Sequence, residues 1–186
     1  MGWTPLHVSS RRAFQVCSVD RVRWTTDSLE AVSHTGSRQF LAGEGVPKIS
    51  LVFSATDPNQ VAEWVQGSRR YVVLGDYTED EHLVLDVDLG SVHFGAGATD
   101  PVWPVNSGIQ EFVRCLEAVQ RDFPYYPATA EPHEHAKVAD RLEALLRQID
   151  PASFEADGAF WASFVHDVSI GDFLNEDVDW WPPDLE

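Results

Sequence analysis

A chain of 186 residues, 44% of them hydrophobic, is long enough to bury one core and is excluded by that composition from the disordered class. Length favours a single domain, and no apolar run approaches the ~20 residues that cross a bilayer as a helix. The net charge of −17, from 30 acidic and 13 basic residues, argues against a chain that grips nucleic-acid phosphates or anionic lipid, which it would repel.

The acidity is uneven. Residues 71–113 hold 8 acids and residues 148–186 hold 10, with no Lys or Arg in either block, whereas 1–70 and 114–147 are nearly balanced. Such blocks attract a basic partner from a distance, although an acidic chain also gains plain solubility. The opening MGWTPLHVSSRR lacks the charged-then-apolar order of a secretion signal, and Leu6 stands where a myristoylation motif wants Ser or Thr. A cytoplasmic protein is expected. Two cysteines, Cys17 and Cys115, have no metal-ligand spacing and are too few for a disulfide scaffold; Cys115 reads as a small buried thiol.

In chain order, Asp27 ahead of LEAV, with Glu30 three residues on, predicts a short capped helix ending before Gly36. After Pro47, Ile49, Leu51 and Phe53 alternate as a strand. In DPNQVAEWVQG, Asp57 as cap, Pro58 in the first turn and Gly67 as stop predict a short helix. YVVLG, LVLDV, SVHF and VWPV follow as β-rich runs with no helix between them, which argues for an antiparallel meander, with a hairpin turning at Asp88–Gly90. In VNSGIQEFVRCLEAV, Asn106 or Ser107 can cap a helix, with Gln110 reaching back to close a capping box. Ile109, Phe112, Val113, Leu116 and Val119 share its apolar face. HEHAKVADRLEALLRQI is a second long helix, stopped by Pro151, and GAFWASFVHDV a last one with Phe160, Trp161, Phe164 and Val165 inward. Helices grouped around a run of strands give an α+β fold: a central antiparallel sheet flanked by helices. Residues 1–186 read as one domain, its core spanning about 26–173, with an acidic tail over 174–186.

Chemistry is scarce in this pattern. His133 and His135 in HEH are two apart, so on a helix they diverge, and a solvated first turn is a better reading than a metal-dependent hydrolase. Gly95–Gly97 lacks the Lys of a phosphate loop, no Gly-x-Ser-x-Gly elbow is present, and the acids from Asp76 to Glu81 lack the spacing of a calcium loop. No catalytic residue, metal or cofactor is therefore assigned, and an interaction protein is expected.

The motif order TGSRQFLAGEGVPK, YVVLGDYTEDEHLVLDVDLGSVHF, VNSGIQEFVRCLEAV and FWASFVHDVSIGDF resembles the SUKH-4 group of the SMI1/KNR4-like superfamily, over roughly residues 26–173. The resemblance implies a bacterial immunity protein that binds a polymorphic toxin of nucleic-acid deaminase or nuclease type, without enzymatic activity. A regulatory scaffold is the alternative within the superfamily. The matching residues Gly45, Pro47, Gly75, Gly90, Asn106, Ser107 and Phe112 are architectural by their chemistry. Recognition is expected elsewhere. Asp76, Glu79, Asp80 and Glu81, with Asp88 at the hairpin turn, form an expected acidic edge for a basic toxin domain, and Trp180 and Trp181 in the tail offer competing aromatic anchors. No direct contact with nucleic acid or membrane is expected, and the sequence leaves the oligomeric state open.

Overall fold

The computed structural model describes residues 20–127 and 129–173. Its centre is an antiparallel sheet built from β3 (Ile49–Ser50), β4 (Phe53–Ala55), β5 (Glu63–Gln66), β6 (Arg69–Thr78), β7 (Glu81–Asp86), β8 (Val92–Gly95) and β9 (Trp103–Asn106). The strands run in the order β3-β4-β6-β7-β8-β9, and β5 pairs with the first half of β6. A small ribbon of β1 (Arg21–Val22) and β2 (Val46–Pro47) lies apart. The four β-rich runs of the meander are all strands, and the hairpin at Asp88–Gly90 is present: the Asp86 carboxylate accepts from the N–H groups of Asp88 and Leu89 at 3.0 and 2.9 Å. Gly90 holds φ 78° there, and a Cβ would fall 2.3 Å from the His34 ring.

The helices are α1 (Thr35–Gly43), α2 (Ile109–Arg121), α3 (Pro132–Ile149) and α4 (Phe160–Ile170). The last three share a core with one face of the sheet, where Val72, Leu74, Leu83, Leu85 and Phe94 meet Phe112, Leu116, Leu146 and Trp161. All five residues of the expected α2 face are buried, and Phe112 meets Phe53 edge to face at 5.5 Å. Cys115 is buried as expected, and burial pushes its thiol up to about 12. On the opposite face a second, smaller core gathers Trp64, Tyr71, Val73 and Val84, with Val102 packed on it. The sheet curls enough for Trp64 of β5 to reach His82 of β7, ring centroids 5.4 Å apart, and to abut Gly95 of β8.

Several local expectations are overturned. Thr26–Ala31 forms turns, with Leu29 and Glu30 donating to Thr25 and Asp27. The helix starts at Thr35, where the His34 ring accepts from Ser37 N–H, and passes through Gly36. Docking decides this: Ser33 and His34 donate to the Val87 carbonyl, tying the chain to the sheet before a helix can run on from Asp27. Ile49–Phe53 is not one strand but a tight turn between β3 and β4, in which Ser50 faces Phe53. Asp57–Gly67 is not a helix. The Asp57 carboxylate holds a single turn through Asn59, and β5 then extends along β6, burying Trp64 while Glu63 and Val65 stay exposed. Period-two burial and ladder pairing override the capping signal.

The α2 cap is also different. Gly108 occupies the cap position with no side-chain bond, so neither Asn106 nor Ser107 caps the helix. Asn106 is buried. Its amide donates to the Asp150 carboxylate at 2.8 Å and accepts from the Trp161 indole at 2.9 Å, while Ser107 N–H donates to the same Asp150 oxygen at 2.8 Å. One side chain thus joins the end of β9 to the C-terminus of α3 and to α4.

Candidate partner-binding surface

The acidic stretch after β6 is a hairpin and not a long loop. Thr78 faces Glu81, so Glu79 and Asp80 alone make the turn and both are exposed. The strands on either side fix the acids around them. His82 Nδ1 and Asp76 Oδ1 lie 2.6 Å apart across the ladder, and Thr78 donates to Glu81 at 3.1 Å. Two register shifts in the β6–β7 pairing sharpen the twist towards the tip.

Helix α4 extends the same acidic end. Tyr77, half-buried beneath the tip, packs edge to face on Phe160 at 5.3 Å and on Phe94 at 6.0 Å. Burial raises its hydroxyl to about 12, and the negative fields of Asp167 and Glu81 push the same way. Asp167 is itself raised, by burial first and then by Asp172. The acidic end therefore comprises Asp76, Glu79, Asp80 and Glu81 from the hairpin with Asp167 and Asp172 from the end of α4. Asp167 was missed by sequence reasoning because it stands more than eighty positions away; the amphipathic phase of α4 was the only available signal. The chemistry on offer is recognition: exposed carboxylates, held by a twisted hairpin, present a directional negative field.

Asp88 does not belong to this edge. It sits at the other end of β7, seven residues from Glu81, roughly 23 Å away at ~3.3 Å per residue, and lies 3.4 Å from the Arg70 guanidinium. Trp180 and Trp181, like Cys17, lie outside the described residues. Of the HEH pair, His133 is exposed, but His135 is buried against Tyr126, with ring centroids 4.2 Å apart, so the expected solvated turn holds for one of the two. Among the described residues no group of three or more His, Cys, Asp or Glu is placed to hold a metal ion.

A second acidic concavity escaped the charge count because the first seventy residues balance overall. An open groove of about 430 Å³ runs between the Thr26–Ala31 turns and the segment before β5, with Asp27, Glu30 and Glu63 at its rim and Val61 and Val72 among its lining. No described helix is long and apolar enough to cross a membrane.

Comparison with known families matches residues 11–167 to the family described as SUKH-4 immunity protein. No curated protein and no solved structure matches the chain.

Proposed function

The chain belongs to the SUKH-4 immunity protein family, and from that premise we propose that it protects a bacterial cell by binding a polymorphic toxin of nucleic-acid deaminase or nuclease type, one to one and without turnover, in the cytoplasm. The family match over most of the chain carries the reading. The acidic end of the sheet supports it, because a toxin that handles nucleic acid carries a basic substrate-facing surface that carboxylates can cover. In this reading Asp76, Glu79, Asp80 and Glu81 meet that surface, with Asp167 beside them. Their rigidity matters as much as their charge: a hairpin tied into the sheet loses little conformational freedom on binding.

The test pairs the chain with the toxin encoded beside it. Cells producing the toxin should survive when this chain is co-produced, the purified pair should form a 1:1 complex, and the association rate should fall steeply with added salt, since steering beyond ~8 Å is screened at physiological ionic strength. A chain that neither binds nor protects against its neighbour-encoded toxin, but recovers housekeeping proteins from its host, overturns the proposal in favour of a regulatory scaffold.

A further inference from the structure

Four large apolar side chains stand out from the described surface: Val65, Leu89, Trp103 and Ile170. Strand pairing sorts them. Leu89 lies in the turn that follows β7, and Val65 of β5 faces Arg70 near the start of β6, so both belong to the half of the sheet away from the acidic end. Ile170 stands one turn beyond Asp167 on α4. Trp103 opens β9 opposite Phe94 of β8, and Phe94 stands opposite Leu83 of β7, two residues from Glu81. At ~4.8 Å between strands, Trp103 is about 10 Å from Leu83 along that row. A standard interface takes roughly 800 Å² from each partner, enough to cover Trp103 and the acidic hairpin together.

The local structure holds Trp103 out. Paired residues share a face, so Trp103 is on the side of Phe94, which packs on Tyr77 and Phe160 beneath the acidic tip. Trp103 itself stays 46% exposed, although few side chains have more apolar surface to gain by being covered. Its backbone is fixed by the ladder to Phe94 and by Pro104, which keeps the residue before it extended. β9 is also the last strand along the sheet, and Pro104 takes one N–H from it, which disfavours recognition by an added strand and leaves the side chain as the feature to be read. An aromatic ring on a fixed backbone loses little freedom on binding. The charge around it is of one sign: Asp100, exposed, precedes it by three residues, the hairpin carboxylates lie across the row, and residues 71–113 contain no Lys or Arg.

We propose that Trp103 is the aromatic anchor of the toxin-binding surface and that it takes an arginine of the toxin, stacked on the indole, while neighbouring basic residues of the toxin meet the hairpin carboxylates. The inference rests on the immunity reading above. An exposed aromatic face in a negative field suits a cation, and among cations the guanidinium is planar, weakly hydrated and prone to stack on rings. The two parts of the surface then act on different steps. Carboxylates work at a distance and set the association rate, whereas a stacked contact exists only in the docked complex and sets the dissociation rate.

Binding kinetics with the toxin domain encoded beside this chain test the assignment. Trp103→Leu, which keeps an apolar side chain and removes the ring, should speed dissociation roughly 10- to 100-fold, with association and its salt dependence little changed. Trp103→Phe, which keeps a smaller ring, should fall between Trp103→Leu and wild type. Should Trp103→Leu fail to fold, the wild-type complex still decides: hydroxyl-radical oxidation of Trp103 should drop on binding, while that of Leu89, at the other end of β7, should not. A complex whose dissociation Trp103→Leu leaves unchanged, or in which Trp103 oxidises as fast as in the free chain, overturns the anchor and leaves the immunity reading standing. Equal losses in Trp103→Phe and Trp103→Leu overturn the stacked arginine. A wild-type chain that does not bind its neighbour-encoded toxin overturns both the anchor and the reading beneath it.

Discussion

Replacing Asn106 separates two physical roles that one residue type can fill. As a helix cap, Asn→Ala costs about 1 kcal/mol, and Asn→Asp is close to neutral because both side chains accept from the first turn. As the buried link between Asp150 and Trp161, the same residue is worth far more. Asn106→Ala removes a charge-assisted bond to the Asp150 carboxylate, about 1.5–3 kcal/mol, and strands the Trp161 indole N–H, about 1–3 kcal/mol. Asp150 keeps its bond from Ser107 N–H and some relaxation follows, so about 3–5 kcal/mol is expected. For a chain of this size that lowers the thermal midpoint by roughly 10 °C. Asn106→Asp is the sharper probe, since it sets a second carboxylate within hydrogen-bond distance of the buried Asp150. One of the two must then hold a proton in the folded state, which raises the pair's upper apparent pKa above the unfolded value. The variant is accordingly least stable at neutral pH and regains stability relative to wild type as pH falls towards 4. Urea unfolding at pH 7 and pH 4.5 reads both effects. An Asn106→Ala loss near 1 kcal/mol, or an Asn106→Asp variant as stable as wild type at pH 7, refutes the linking role.

Phe112→Ala, at a fully buried ring in contact with Phe53, should cost about 3–5 kcal/mol, and an unchanged thermal midpoint would contradict the packing. The Cys115 thiol, raised to about 12, should resist iodoacetamide at pH 8 in the folded protein and react once urea unfolds it; alkylation at equal rates in both states would show that it is not sequestered. Glu79→Lys with Asp80→Lys should slow association with the toxin and flatten its salt dependence while leaving the melting temperature nearly unchanged, because both residues are exposed at a turn. Deleting residues 176–186 tests the tail anchors Trp180 and Trp181; lost protection after that deletion, with none after the double reversal, moves recognition from the hairpin to the tail.

The parts of the fold legible in the sequence are those whose periodicity and burial agree. The α2 stripe from Ile109 to Val119 and the apolar side of α4 need nothing beyond their own spacing to find their faces. The failures have a common cause. Asp57–Pro58 and Asp27 carry good cap chemistry, but a cap settles only the start of a helix, and in both places a longer-range bond claims the backbone: β5 pairs with β6, and Ser33 and His34 donate to Val87. Asn106 was read from its neighbours along the chain, whereas its partners lie 44 and 55 positions away. The acidic tip was legible because its four residues are local. Its separation from Asp88 was legible too, since LVLDV already reads as a strand that ends at the Asp88–Gly90 turn; grouping Asp88 with the tip counts spacing along the chain and overlooks that seven residues of strand span the height of the sheet.

That height divides the molecule into regions with different tolerance for change. The Asn106–Asp150–Trp161 link and the Phe112 core lie under the helices, where a substitution leaves a buried group unpaired or a cavity behind. At the acidic tip Glu79 and Asp80 sit where two paired strands meet, and both are exposed. Charge there can be reversed at little cost to the fold. A surface of this kind can change its partner while the scaffold stays fixed. The expected signature is a separation of effects: tip variants should change association without moving the melting temperature, and link variants should lose protection only in proportion to the folded protein they lose. A tip reversal that unfolds the chain, or an Asn106 variant that remains folded and fails to bind, would break that division.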